Sequence, residues 1–193
     1  MRLDPLPSRR SSALAGGDSE VLMPAYTDDF IKSVLRSIKV IAMVGASGNE
    51  MRPSYFAMKY LLAKGFIIHP VNPSLAGKEI LGRIVYGAIK DVPAPVDMVD
   101  IFRGSDAAPG IVREALTEKA RLGLKTIWMQ LGVVSEEAAA MAREAGLNVI
   151  MDRCPKIEYG RLSGEIGWMG VSRGVIDNRK PLLFGKGGSL KRG

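Results

Sequence analysis

The residues best suited to chemistry in this sequence form a small-residue turn and the segment just after it. Gly45-Ala46-Ser47 would let backbone N–H groups approach an anion, and Arg52 could hold a phosphate through its guanidinium group. Ser54 is placed to cap a following helix, whose first turn carries free N–H groups and partial positive charge. Both features would favour a phosphate beside the turn, so we predict an anion-binding site here.

An apolar run precedes this turn and must position it. Residues 40–44 are almost wholly apolar and rich in β-branched side chains, as expected of a central parallel strand buried on both faces. Four later apolar runs are separated by helical patterns. The five predicted strands are residues 40–44, 66–71, 96–101, 126–129 and 147–151. This alternation predicts an α/β fold with a doubly wound, parallel five-stranded sheet and helices on both of its faces.

Helical patterns with recognisable ends lie before and between those strands. Thr27 is placed to cap a first helix, and Ser105 and Ser135 are placed to cap two later ones. The later predicted helices are residues 54–63, 107–121 and 136–145. The glycines expected to end them in a left-handed conformation are Gly65, Gly123 and Gly146.

Ligands of such a sheet bind at the carboxyl ends of its strands, where five loops should line one crevice. The candidate binding residues there and in the segment after the first turn are Gly45, Ala46, Ser47, Arg52, Ser54, Val71, Asn72, Pro73, Phe102, Arg103, Gln130 and Gly132. Some of them have simpler alternatives. Asn72 could serve only to form an Asx-turn before Pro73, Arg103 could be a solvated loop end, and Phe102 could belong to the core.

A glycine turn after a first strand also suggests a NAD(P)-dependent oxidoreductase, but two details disagree with that interpretation. Glu50 stands where the dinucleotide fingerprint has its third glycine. The second strand ends in Asn72 rather than in an acidic residue able to hold a ribose diol. The oxidoreductase remains an alternative, in which Arg52 would bind the 2′-phosphate of NADP.

Six motifs in this order resemble those of the CoA-binding domain family. They are GAS at 45–47, RPS at 52–54, PVNP at 70–73, VDMVDIFR at 96–103, WMQLG at 128–132 and MDRCPKIE at 151–158. The resemblance covers about residues 28–162 and implies a Rossmann-like fold, similar to the CoA-binding domain of succinyl-CoA synthetase. It also implies coenzyme A or an acyl-CoA as the ligand.

The chemistry of this ligand suggests which residues would hold each of its parts. Arg52 would hold a phosphate, to which Ser47 or Ser54 would donate a hydrogen bond. The residues expected to border the rest of the ligand are Asn72 and Pro73 for adenine and ribose, and Phe102 and Gln130 for adenosine or pantetheine.

Groups for catalysis are scarce. The single histidine, His69, lies within the second predicted strand, so the usual ligands cannot assemble a metal cluster or a Ser-His pair. We therefore expect a non-catalytic binding or sensing module rather than an enzyme. A thiol redox protein acting through Cys154 is an alternative, because Arg153 and Lys156 would favour a thiolate able to form a mixed disulfide with CoA or to transfer an acyl group. A buried, inert thiol is the simpler interpretation.

The composition is that of a soluble globular protein in a reducing compartment. Of 193 residues, 47% are hydrophobic and 24% are charged, and the one cysteine cannot form an internal disulfide, so we expect a cytoplasmic protein. No apolar run approaches the length of a membrane span. Residues 173–193 hold six Lys and Arg residues against Asp177 and carry most of the net charge of +7. Such a basic tail predicts no specific nucleic-acid partner.

The chain divides into three predicted regions. Residues 1–26 lack apolar periodicity and are predicted to be disordered, residues 27–162 form the CoA-binding domain, and residues 163–193 form a basic, Gly-containing extension. Apolar residues of the extension such as Trp168 could pack on the domain or on a partner, so a homo-oligomer or another protein partner stays open.

Overall fold

The computed structural model describes residues 26–164. The predicted disordered tail lies outside the described residues except for Tyr26, and the predicted extension lies outside them except for residues 163 and 164. The domain boundaries and the cytoplasmic location remain predictions. Within the described range, no helix is both long enough and apolar enough to cross a membrane.

A parallel sheet of five strands is the centre of the fold. The strands in chain order are β1 (Val40–Val44), β2 (Ile67–Val71), β3 (Glu79–Ile80), β4 (Arg83–Ile84), β5 (Met98–Ile101), β6 (Thr126–Met129) and β7 (Asn148–Ile150). The order in the sheet is β2-β1-β5-β6-β7, whereas β3 and β4 pair with each other as an antiparallel hairpin. This is a common doubly wound order with its switch point between β1 and β5, and it confirms the predicted Rossmann-like fold class.

Helices connect the strands and cover the sheet. They are α1 (Asp28–Ser37), α2 (Pro53–Ala63), α3 (Ala108–Thr117), α4 (Lys119–Leu122), α5 (Glu136–Glu144) and α6 (Pro155–Leu162). The helix predicted over residues 107–121 is therefore divided into α3 and α4 around Glu118. The sequence interpretation missed α6, which begins with a proline at its first position and packs against α1 and α2.

Two hydrophobic cores lie on opposite faces of the sheet because successive strand residues point to opposite sides. Met98 packs in the core that contains the buried residues of α1, α2 and α6. Val99 packs in the core that contains those of α3 and α5. Asp100 is two residues after Met98, so this buried carboxyl group lies on the face that α1, α2 and α6 cover.

Two of the predicted helix caps are confirmed. The hydroxyl of Thr27 accepts a hydrogen bond from the N–H of Phe30 at 3.2 Å, and that of Ser135 accepts one from Ala138 at 3.3 Å. The glycines predicted to end helices have φ values between 70° and 86°, as expected, at Gly65, Gly123 and Gly146.

The other two predicted caps are wrong. Arg52 is the N-cap of α2 and Ser54 is its second residue, because Pro53 fits the first helical position, where a missing N–H costs nothing. Helix α3 begins three residues after Ser105, whose hydroxyl accepts a hydrogen bond from the N–H of Val134 at 2.9 Å. Ser105 thus connects two loops instead of capping a helix.

Candidate functional site

A crevice of about 880 Å³ opens at the carboxyl edge of the sheet. It is bounded by the loops after β1, β2, β5 and β6 and by the first residues of α2 and α6. The predicted binding residues that line it are Gly45, Ala46, Ser47, Arg52, Ser54, Asn72, Phe102, Arg103 and Gln130, together with Cys154. Residues far apart in the sequence therefore meet at the switch point of the sheet.

Three predicted binding residues lie at the same edge but outside the crevice. Val71 is 2% exposed and packs in the core. Pro73 is exposed and begins the single-turn 3-10 helix Pro73–Leu75. Gly132 has a φ of 75°, and its N–H donates a hydrogen bond to the Asp152 carboxylate at 2.7 Å. These residues shape the loops at this edge and do not line the crevice.

Gly45 is required by the path of the chain. Its φ is 87°, and its N–H donates a hydrogen bond to the carbonyl oxygen of Val71 at 2.9 Å. A Cβ atom at this position would lie 3.0 Å from Cδ of Arg103 and 3.2 Å from the carbonyl carbon of Phe102. The absent side chain thus leaves room for Arg103 to cross the turn beside the crevice.

The N-terminus of α2 presents one free backbone donor, the N–H of Ser54, at the crevice. Among the described residues no side chain caps this helix, Pro53 has no N–H, and the N–H groups of Arg52 and Tyr55 donate to the carbonyl oxygens of Asn49 and Arg52 at 3.0 Å. Ser54 is only 4% exposed, lines the crevice, and makes no side-chain hydrogen bond with any described residue. The helix dipole and the N–H and hydroxyl groups of Ser54 therefore lie at one point suited to an anion.

Two arginines at the crevice have no partner among the described residues. The guanidinium groups of Arg52 and Arg103 form no ion pair or hydrogen bond with residues 26–164. Elsewhere in the domain, Arg121 is held by Glu118 and Arg161 by Asp28. Because a guanidinium group readily binds phosphate oxygens, both side chains are chemically suited to hold a phosphorylated ligand.

Asn72 both forms a turn and supports the site. Its side-chain amide donates a hydrogen bond to the carbonyl oxygen of Ala46 at 2.8 Å, while its Oδ1 accepts one from the N–H of Ser74 at 3.0 Å. The second contact is the Asx-turn considered as an alternative above. Both polar ends of the side chain are used within the protein, although the residue also borders the crevice.

The sequence interpretation missed a buried polar pair at the floor of the crevice. Asp100 is fully buried, and Nε2 of Gln130 donates to its two carboxylate oxygens at 3.0 and 3.1 Å. Burial raises the pKa of Asp100 to about 8, and the hydrogen bond from Gln130 opposes this rise only in part. An aspartate inside an otherwise apolar strand was the available signal.

Cys154 is the N-cap of α6 and is 8% exposed. Burial raises the pKa of its thiol, the charge of Asp100 adds to the rise, and the N–H groups of Ile157 and Lys156 lower it in part. The net direction is opposite to the thiolate stabilisation expected from Arg153 and Lys156. Arg153 is instead directed toward Glu158, with 3.8 Å between the guanidinium group and the carboxylate.

The mouth of the crevice carries exposed apolar side chains. Met51 is 82% exposed, Leu131 56%, Phe56 48% and Ile157 44%, and all four line the crevice. They come from the loops after β1 and β6 and from helices α2 and α6. An apolar rim therefore surrounds the polar elements described above, and a ligand with both phosphate and apolar parts would match it.

A family model matches most of the described part of the sequence. A family described as a CoA binding domain matches residues 39–160, which is more than half of the chain. Comparison with individual sequences finds YneT, an uncharacterized protein of Bacillus subtilis (strain 168), which is 38% identical over 129 residues. That alignment covers 67% of this chain and 91% of YneT.

Solved structures of small proteins share the fold. A hypothetical protein from Pyrococcus horikoshii OT3 has a TM-score of 0.66 and 36% identity, covering 71% of this chain and 92% of its own. A protein from Thermus thermophilus has a TM-score of 0.65 and 33% identity, covering 71% of this chain and 99% of its own. The fold described here thus recurs in proteins that consist almost entirely of this one domain.

Proposed function

The chain belongs to the CoA-binding domain family, and on that basis we propose that its crevice binds coenzyme A or an acyl-CoA without catalysing a reaction. One observation carries the proposal. Within residues 26–164, Arg52, Arg103 and the hydroxyl of Ser54 have no side-chain partner, and they line one crevice together with the N-terminus of α2, which no side chain of that range caps. The protein would then sense CoA, store it, or present it to a partner.

The chemistry of CoA suits this set of groups. Its pyrophosphate and its 3′-phosphate are separate anionic centres, so two cationic side chains can each have a phosphate to bind. Arg52 with Ser47 and Ser54 forms one such set, and Arg103 supplies a second cation. The hydroxyl of Ser47 accepts from the N–H of Asn49 at 3.1 Å, so its own proton is available to a phosphate.

The apolar rim supports CoA or its thioesters over a simple phosphate. Met51, Phe56, Leu131 and Ile157 would cover the aliphatic pantetheine arm and any acyl group attached to it. Removing apolar surface from water contributes about 25 cal/mol per Å². The phosphates would then fix the orientation of the ligand, and the arm would add apolar contact.

Two alternatives receive less support. The side chain at the end of β2 is Asn72, which uses its amide to hold Ala46 and its oxygen to accept from Ser74, so it offers no carboxylate to the ribose diol of NAD. The raised pKa of Cys154 disfavours the thiolate that a redox function would need. Both alternatives remain outcomes of the tests.

Calorimetric titration at about 0.15 M salt tests the ligand. CoA, dephospho-CoA, NAD and NADPH are compared on the full chain. CoA is expected to bind, and dephospho-CoA to bind more weakly because it lacks the 3′-phosphate. Binding of NADPH in the absence of CoA binding would overturn the proposal in favour of an oxidoreductase.

Charge removal tests the place of binding. Arg52→Ala and Arg103→Ala should each weaken CoA binding about tenfold, which corresponds to about 1.4 kcal/mol, and should reduce its salt dependence. Arg113→Ala is the matched control, because Arg113 is exposed and paired with Glu137 away from the crevice. Unchanged CoA affinity in both crevice variants, with normal thermal unfolding, would exclude the crevice as the site.

A further inference from the structure

The pair formed by Gln130 and Asp100 fixes which atom of the glutamine faces the crevice. Nε2 donates to both oxygens of the Asp100 carboxylate, at 3.0 and 3.1 Å. In its ionised form the Asp100 carboxylate can only accept hydrogen bonds, so it then holds the NH₂ end of the amide toward itself. The carbonyl end, Oε1, is then directed away from Asp100.

That oxygen has no donor among the described residues, although the residue itself is largely buried. Gln130 is 6% exposed and lines the crevice, and its Oε1 accepts no hydrogen bond from the residues that the structure describes. A carbonyl oxygen placed at the crevice in this way can accept a hydrogen bond from an N–H or O–H group of a ligand.

The chemistry of the acceptor restricts which part of a ligand can satisfy it. Phosphate oxygens cannot donate, and they are attracted instead to Arg52 and the N-terminus of α2. The pantetheine arm of CoA carries two amide N–H groups along an otherwise apolar chain. Val133 and Cys154 line the same crevice, and such apolar neighbours suit this arm better than a charged group.

We propose that Oε1 of Gln130 accepts a hydrogen bond from an amide N–H of the pantetheine arm and that Asp100 is the positioning residue that fixes the orientation of the Gln130 amide. The inference rests on the proposed function and extends it, because it assigns a part of the ligand to a residue. Asp100 itself is fully buried and does not touch the ligand.

The positioning role depends on the charge of Asp100. Once protonated, its carboxyl group gains an O–H that can donate to Oε1 and draw that oxygen away from the ligand. The pKa of about 8 places this change near neutral pH. Among the described residues, the thiol of Cys154 is the other titratable group that interacts with Asp100, and burial is the main cause of its raised pKa.

Calorimetry on the wild-type protein tests the contact without any substitution. The ligands are desulfo-CoA, whose arm lacks the titrating thiol, and two analogues in which one or the other amide N–H of the arm is replaced by an ester oxygen. At pH 8.5, one analogue should bind about tenfold more weakly than desulfo-CoA. Equal affinity for all three ligands would overturn the inference while leaving CoA binding intact.

Substitutions at Gln130 and Asp100 test whether these two residues act on the pantetheine arm. Gln130→Met and Asp100→Asn should weaken desulfo-CoA about tenfold at pH 8.5 and leave adenosine 3′,5′-bisphosphate, which lacks the arm, unchanged. Equal weakening of both ligands would place the contact on the nucleotide half and overturn the inference. Absence of CoA binding to the wild-type protein would instead overturn the proposed function.

The pH profile separates positioning from a merely structural role. The ratio of desulfo-CoA affinity to bisphosphate affinity should rise severalfold between pH 6.5 and 9 in the wild-type protein, as Asp100 ionises. In Asp100→Asn the ratio should stay constant, because the asparagine NH₂ can donate to Oε1 at every pH. A constant ratio in the wild-type protein would overturn the role of Asp100.

Discussion

The side-chain amide of Asn72 donates a 2.8 Å hydrogen bond to the carbonyl oxygen of Ala46. It joins the loop after β2 to the turn after β1, which lie side by side because the two strands pair in parallel. The turn is the part of the crevice that precedes the N-terminus of α2. Its geometry is therefore maintained by a residue 26 positions later in the chain.

Asn72→Ala tests this support. Loss of the two side-chain hydrogen bonds should lower the free energy of unfolding by about 1 kcal/mol and weaken CoA binding severalfold, because the turn beside the phosphate site is no longer held. Urea unfolding and calorimetry measure the two effects. Asn148→Ala, at the exposed start of β7, is the control and should change neither. An unchanged affinity in Asn72→Ala would separate this hydrogen bond from ligand binding.

Two Gly→Ala substitutions should have opposite effects on stability. Gly45→Ala should cost about 1–2 kcal/mol in the free energy of unfolding, since φ is 87° and the new Cβ would meet Arg103 at 3.0 Å. Gly110→Ala should instead add about 0.5–1 kcal/mol, because Gly110 lies within α3 and a Cβ there has no neighbour within 4 Å. Urea unfolding of both variants measures the difference. Equal effects would contradict the steric role given to Gly45.

Much of the fold could be predicted because its signals are local. The runs at residues 40–44 and 126–129 became strands with the same bounds, since a strand buried on both faces reads as a continuous apolar stretch. The caps at Thr27 and Ser135 were equally local. The prediction that Ser54 caps α2 was wrong because Pro53 occupies the first helical position, so the helix begins one residue earlier than predicted.

The buried pair at the crevice floor could not be predicted, because it depends on the neighbours that the sheet provides. Asp100 and Gln130 are 30 residues apart, and they meet only because β5 pairs with β6. The close approach of the Arg103 side chain to Gly45 likewise depends on the pairing of β1 with β5. Sequence patterns place residues on elements, but contacts between elements follow from strand order and register.

Asp100→Asn should change how stability depends on pH. The folded protein keeps a proton on Asp100 up to about pH 8, whereas the unfolded chain loses it near pH 3.8. The wild-type protein should therefore lose up to about 1.4 kcal/mol of stability per pH unit between these values through this group, and no more above pH 8. Asparagine does not titrate, so the variant should gain stability relative to the wild type as pH rises.

Urea unfolding of both proteins at pH 5.5, 7 and 8.5 measures this difference. His69 has a lowered pKa and contributes with the opposite sign as pH rises toward its ordinary value of 6.5, but it is present in both proteins and cancels. A difference in unfolding free energy that does not change with pH would show that Asp100 is already ionised in the folded protein throughout this range.

The thiol of Cys154 should react slowly with alkylating agents. Burial and the charge of Asp100 raise its pKa above 9, so little thiolate is present at pH 7.5, and alkylation by iodoacetamide should be severalfold slower than that of a free cysteine. CoA should slow it further by filling the crevice that Cys154 lines. At pH 9, Asp100→Asn should react faster than the wild type, because the nearby negative charge is gone.

Cys154→Ser removes the only thiol of the chain and controls for labelling at other residues. Fast alkylation that CoA does not affect would mean that the thiol is neither buried nor part of the crevice, whereas fast alkylation that CoA blocks would favour the redox alternative.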